Sequence, residues 1–403
     1  MRPSPVGPVI GGWVTTNYSW RLVFIGEVVI VIVILIIRKR MQPAPRPERV
    51  PKLDYIGAAL SAIRLGLIVF AILKSSTWGW FAPIAAPTID GNEITPLGFS
   101  PVPFLIVGGA LLLWCFGLWE GRRERLGLDV LLDRTLLGIA QLRAGLASLM
   151  SQRLVLMGTF FVLPVYLQVV LGLDAFETGK RLLPLSVTLL LAALAGPKLS
   201  TRIAPRTIVR VGLLAMVAAA LVLVRTIDVE LNDSGFAASL ALFGVGAGLL
   251  MSQLGNVIMS AAPPAKTNEA GGLQGTAQNP WASLGTALIG SVLLAGLLTG
   301  FTTRVADNPA LSEPVRAEIT AATQDGIEIV TTSEAYELAI SAGLSPAEAE
   351  AEAVTADYGD AELEALKKAM LAVGLLALLS LVFTRNLPGR PSSDGGIATE
   401  AAD

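Results

Sequence analysis

The chain has 403 residues, 53% of them hydrophobic and only 15% charged, with a mean hydropathy of +0.64; a soluble domain carries about 25% charged residues. The net charge of −2 gives no strongly basic balance for a nucleic-acid partner. With no histidine and one cysteine, Cys115, the chain lacks His-based acid–base chemistry, His metal sites, a Ser-His-Asp arrangement and an intramolecular disulfide. No phosphate-binding glycine loop and no nucleophile elbow occurs, so neither an enzyme nor a cofactor or metal is expected.

In chain order, residues 3–16 are apolar but too short to span a bilayer, which takes about 20 residues. Val28 to Ile37 is an unbroken aliphatic run, preceded by Trp20 and closed by Arg38-Lys39-Arg40. It reads as a transmembrane helix over 20–37. Further spans follow at 54–73, 102–119, 144–171, 178–199, 207–227, 235–260, 269–298 and 366–383. Each is helical, because a backbone in lipid must satisfy its own hydrogen bonds. Between Asp307 and Glu364 stand fourteen Asp or Glu against one Arg. Ser345-Pro346-Ala347-Glu348 and Thr331-x-x-Glu334 have capping-box form, so loop 300–365 is expected to carry short amphipathic helices outside the membrane. It is either a gating or cation-attracting cap or a solvated hat. Residues 386–403 read as a polar tail.

Lys and Arg set the orientation. Loop 38–52 holds six of them, 120–135 four and 198–210 four. Loop 74–101 holds only Lys74, and 299–365 only Arg304 and Arg316. The rich loops are expected in the cytoplasm.

Polar residues inside the spans are the functional candidates. Ser252, Asn256 and Ser260 share one helix face, with Gln253 beside them; Gln274, Gln278 and Asn279 lie in 269–298. Gln152, Arg153 and Gln168 lie in 144–171. Such faces bond to neighbouring helices or line a water-filled cavity. Glu27, Arg64 and Arg153 are charges at membrane depth, which are costly and mark ion or substrate pathways; Arg153 has the alternative of snorkelling. Glu27 and Arg64 each lie about 15 Å from the cytoplasmic end of their helices. They are expected either to pair, or to leave Glu27 protonated and alone, with ion coupling open in both cases.

Gly7-Pro8-Val9-Ile10-Gly11-Gly12, followed by Trp20-Arg21, resembles the antiporter motif of the fourteen-helix drug:proton antiporter branch of the major facilitator superfamily. Leu163 to Gln168 with Leu171-Gly172-Leu173 is similar to that branch's ninth helix. Gly271 to Gln278, continuing through Ser283 to Gly290, is similar to its thirteenth. Pro197 to Arg206 sits where its loop motif repeats, with Ser200 in place of the usual Asp. Pro280 is unusual there and is expected to kink the helix.

The resemblance implies an all-α membrane bundle of about nine full helices plus one partial. Residues 1–37 would hold the end of helix five and helix six, 38–53 a linker, 54–119 two inserted helices, and 142–383 the six-helix C-terminal half. Helices one to four would be missing, as in a truncated chain or a fragment. The resemblance further implies a monomeric plasma-membrane exporter of small organic or drug-like molecules, coupled to protons and working by alternating access. Gly7, Pro8, Gly11 and Gly12 would form its antiporter motif. The competing expectation is a membrane remnant or accessory protein that moves nothing.

Overall fold

The computed structural model describes residues 7–38, 54–83, 86–89, 92–128, 130, 134–323, 327, 329–341 and 348–391. Linker residues 39–53, the 345–347 part of the second capping box and tail residues 392–403 lie outside them. Of Gly7 and Pro8 only the helical backbone is described.

Helices dominate the described residues. They are α1 (Gly7–Asn17), α2 (Arg21–Arg38), α3 (Tyr55–Trp78), α4 (Pro101–Arg125), α5 (Arg134–Gly138), α6 (Ala140–Pro164), α7 (Ala175–Arg181), α8 (Leu183–Ser200), α9 (Pro205–Thr226), α10 (Asp233–Ala261), α11 (Thr267–Asp307), α12 (Glu313–Ala322), α13 (Thr332–Ser341) and α14 (Glu348–Leu379). One two-residue antiparallel strand pair, Thr88–Ile89 with Asn92–Glu93, decorates the α3–α4 connection.

Several helix starts follow from their capping side chains, which meet amides that have no intrahelical partner. Asp54 accepts from the Gly57 amide at 3.0 Å. Ser100 accepts from Val102 at 3.3 Å, with Pro101 at the first helical position of α4. Asn232 accepts from Gly235 at 3.1 Å at the head of α10.

Eight of these helices, α3, α4, α6, α8, α9, α10, α11 and α14, are long and apolar enough to cross a membrane. They match eight of the nine expected spans. The ninth, 20–37, is the eighteen-residue α2, whose composition includes Arg21, Glu27 and Arg38 and in which no residue is buried. The chain is thus a multi-pass, all-α membrane protein.

Helices α6, α8, α9, α10, α11 and α14 enclose one core, with Tyr166, Phe236, Phe243, Leu163, Leu213 and Met216 fully buried. α10 packs between α8 and α9, α6 lies along α11, and α14 closes against α11 and α9. α3 and α4 form a hairpin that leans on α11 through α3, where the Trp80 indole donates to Ser291 Oγ at 2.9 Å.

Three departures from expectation have local causes. α11 runs through Pro280 as one helix of 41 residues. After Pro164, Val165–Val170 widen into a π-helical turn, where Leu171 N donates to Tyr166 O at 3.1 Å. Much of 300–365 is continuous with the spans, since α11 reaches Asp307 and α14 begins at Glu348. α12 and α13 pack on this extension, burying Val315, Ile319, Val354 and Tyr358. At the other end the chain stays held past 386. Leu387 is buried, its carbonyl takes Arg206 Nε at 2.9 Å, and Pro388 O accepts the Arg206 amide at 3.1 Å.

Candidate functional site

The polar residues of the six-helix unit separate by what they touch. Gln152 is buried and donates to Ala247 O of α10 at 3.1 Å. Gln253 is buried and donates to Gly196 O of α8 at 2.9 Å. Both are interhelical ties, the first of the two roles expected for polar residues inside the spans. Ser252 returns its hydroxyl to Leu249 O of its own helix at 2.7 Å. Asn256 and Gln168 are exposed, and Arg153, Gln274 and Gln278 are half-buried.

The burial pattern of α6 shows where these residues face. Between Met150 and Pro164 the half-buried positions are Met150, Arg153, Met157, Phe160, Phe161 and Pro164, and the rest are buried. At about 100° per residue these six fall on one stripe. Gln152 on one flank meets α10. On the other flank α6 crosses α11 so closely that a Cβ on Gly285 would overlap the Leu154 carbonyl. The stripe is therefore the least buried face of α6, between the flanks that meet α10 and α11, with Phe161 at its edge beside Gly290 of α11. Arg153 is its one charged member. The guanidinium makes no ion pair or hydrogen bond among the described residues, and its buried Nε has no partner.

A second polar grouping lies at the end of the bundle where α6 begins and α8 and α10 end. A cavity of 830 Å³ is lined there by Gln141, Ser200, Thr201, Gln253, Asn256 and Ser260, with Pro388 and Arg390 of the C-terminal segment. Gln141, which sequence reading passed over, donates to Val257 O at 3.2 Å. It stands three residues ahead of the expected start of the span, in sequence that looks like loop.

Glu27 and Arg64 do not pair. Glu27 is exposed on α2. Arg64 is buried between α3 and α4, its guanidinium 4.2 Å from the Phe116 ring centroid and 3.3 Å from Ser61 Oγ. Its nearby acid is Glu120, buried at the end of α4. Beside Glu120, Asp54 accepts from Trp119 Nε1 at 2.9 Å and pairs with Arg123 Nε at 3.2 Å. Burial raises the Asp54 carboxyl, but the Gly57 amide, the Trp119 indole, Arg123 and Glu120 together hold it below the usual carboxylate range. Glu120 and Arg123 were missed because both fall just past the expected end of the span at 119.

Of the glycine motif, Gly12 makes the close approach: a Cβ there would overlap the Ala175 carbonyl of α7. A Cβ on Gly11 would meet nothing within 4 Å. α1 is further joined to α7 by the Phe176 amide donating to Thr16 Oγ1 at 3.3 Å.

The Major Facilitator Superfamily profile matches residues 4–286. The chain is 28% identical over 290 residues to the tetracenomycin C resistance and export protein of Streptomyces glaucescens, covering 72% of this chain and 50% of that one. It is 27% identical over 292 residues to the multidrug efflux pump LfrA of Mycolicibacterium smegmatis, covering 72% and 53%. With a multidrug resistance protein B homolog of Mycobacterium tuberculosis it shares 28% over 300 residues, 73% and 51%. The chain spans about half the length of the curated relatives it matches. A profile match over more than half of a chain with eight membrane-length helices leads to one assignment: this protein belongs to the Major Facilitator Superfamily.

Proposed function

We propose that this chain carries the C-terminal transport unit of a proton-coupled exporter of small organic, drug-like molecules in the plasma membrane. The observation that carries the reading is the least buried stripe of α6, between its flanks on α10 and α11, half-buried at membrane depth and including one guanidinium. Two such faces opposed across a midplane site are what alternating access needs. The export and efflux named for the relatives supports the substrate class.

In this reading the chain falls in the fourteen-helix branch. α1 and α2 are the end of helix five and helix six, with Gly7, Pro8, Gly11 and Gly12 as the antiporter motif. The α3–α4 hairpin is the inserted pair, and α6 to α14 form the C-terminal half. Gln168, Ser252, Asn256, Gln274 and Gln278 border the substrate path, Glu27 is the ion-coupling candidate, and the working unit is a monomer.

The test is dye movement in inside-out vesicles with an imposed proton gradient, using ethidium as cation, Nile red as neutral probe and fluorescein as anion. A fusion placing the first four helices of LfrA ahead of residue 7 is expected to move at least one dye, and to stop when a protonophore collapses the gradient. The 403-residue chain by itself is expected to move none, because its cavity has one wall. A well-expressed fusion that moves no dye, or movement indifferent to the protonophore, would refute the coupled-export reading. Transport by the chain alone at the level of LfrA would refute the two-wall account.

A further inference from the structure

We propose that Arg153 is a binding site for the negative charge of an anionic amphipathic ligand, and so sets the charge class that the exporter accepts. The proposal deepens the transport reading and rests on it for the word exporter, but not for the binding.

The argument starts from depth. Arg153 lies thirteen residues into a span that runs Ala140–Val170, within two residues of its middle. The hydrocarbon layer is about 30 Å thick, so at about 1.5 Å per residue Arg153 is about 12 Å from the nearer boundary of a layer centred on the span. That is further than one side chain reaches, which removes snorkelling as the resolution of its charge.

Among the described residues no carboxylate pairs with Arg153. From 140 to 173, from 183 to 227, from 234 to 268 and from 270 to 306 there is no Asp or Glu. On α14 the last carboxylates are Glu362 and Glu364, beside the outer extension, where Glu364 already binds Arg304 and Lys368. Asp54 and Glu120 sit on the α3–α4 hairpin against Arg123 and Arg64. A guanidinium always carries its charge, and a carboxylate, sulfonate or phenolate matches its fork of donors.

The surroundings specify the rest of the ligand. Met157, Phe160 and Phe161 continue the same half-buried stripe toward the π-turn. They offer an adaptable apolar and aromatic surface about one to two turns from the cation. A flat apolar body ending in one acidic group fits that order.

The test is equilibrium binding to the purified 403-residue chain in lipid nanodiscs, followed by fluorescence anisotropy, with empty nanodiscs subtracted. The probes are pyrenebutyrate and pyrenebutanol, which share a ring system and differ in charge. Wild type is expected to bind the carboxylate about tenfold more tightly than the alcohol, a difference typical of one charge-assisted contact. R153Q is expected to erase that preference while keeping the affinity for the alcohol, and R153K to retain part of it. R153Q is also expected to melt no lower than wild type, which a purely structural arginine would not allow. Equal affinities in wild type, no binding of the carboxylate, or an unchanged preference in R153Q would overturn the site. An Arg153-dependent preference in a protein whose fusion moves no dye would leave the site standing and end the transport reading instead.

Discussion

At the residue scale the buried charges of the α3–α4 hairpin yield the sharpest stability test. Asp54 serves at once as cap of α3, acceptor for Trp119 and partner of Arg123. Asp54→Ala removes all three roles, and the cap alone is worth about 0.5–2 kcal/mol. A loss of about 2 kcal/mol or more is expected, read as a lower midpoint of thermal unfolding in detergent. Gly57→Ala should act in the same direction without removing a charge. Its Cβ would overlap the Asp54 carboxylate and come within 2.9 Å of Glu120 Oε1. The sign with pH is also fixed. The folded carboxyl titrates below its unfolded value, so its contribution is complete above the ordinary Asp pKa of about 4 and fades as pH falls through the lower folded value. Flattening of the acid limb of a stability profile in Asp54→Asn checks it; an unchanged limb counts against it. The sequence offered Glu27 as one possible partner for Arg64, and the structure sets Glu120 near it instead. Depth comes from rise per residue, whereas partnership depends on helix rotation and on which helix is the neighbour. Neither is set by a sixteen-residue connection.

At the element scale, what was legible in the sequence was whatever one helix decides by itself. The apolar lengths gave the eight spans. Thr331 and Glu334 form the expected capping box, with the Thr331 amide donating to Glu334 Oε2 at 2.9 Å and the Glu334 amide to Thr331 Oγ1 at 3.2 Å. Choices between neighbouring faces were not legible. Gly11 and Gly12 differ by about 100° around α1, and only the position of α7 selects Gly12. Gly12→Leu is therefore expected to undock α1, whereas Gly11→Leu is tolerated. A disulfide between Thr16→Cys and Phe176→Cys reports the contact in a Cys115→Ser background. Its yield should collapse with the first substitution and persist with the second; equal yields would show that α1 is held elsewhere. The return of the C-terminal segment onto α9 was invisible for the same reason. Arg206 and Arg210 read as loop charges, yet Arg206 binds Leu387 O and Arg210 donates to Thr384 Oγ1 at 2.9 Å. The cap that α9 lacks at Ala204 comes from residues almost two hundred positions away.

At the scale of the whole molecule the two ends of the bundle differ in chemistry, and this fixes a sidedness that can be measured. One end gathers Gln141, Thr201, Pro205, Asn256 and Arg390 around a single cavity. These come from segments flanked by Lys198, Arg202, Arg206 and Arg210, with Arg122, Arg123 and Arg125 closing α4. The other end is acidic and ordered. Arg304 meets Glu364 at 3.0 Å, Asn308 meets Asp357 at 2.7 Å, and Phe301 packs edge-on against Tyr358. Positive charge near the spans stays in the cytoplasm during insertion, whereas acidic residues contribute little to orientation. The cavity end should therefore face inward and the α12–α13 extension outward. The exposed residues Thr201 and Ser333 report the two ends, and exposed Cys115 must first be replaced by Ser to silence its thiol. In that background Ser333→Cys is expected to react with a membrane-impermeant maleimide on intact cells. Thr201→Cys should react only after permeabilisation. The opposite pattern would invert the whole bundle, because each connection between successive spans fixes the next. It would place the C-terminal segment bound to Arg206 outside the cell and the acidic extension within. Labelling of both positions on intact cells would break the eight-span path itself, since the three spans α9, α10 and α11 between Thr201 and Ser333 put them on opposite sides.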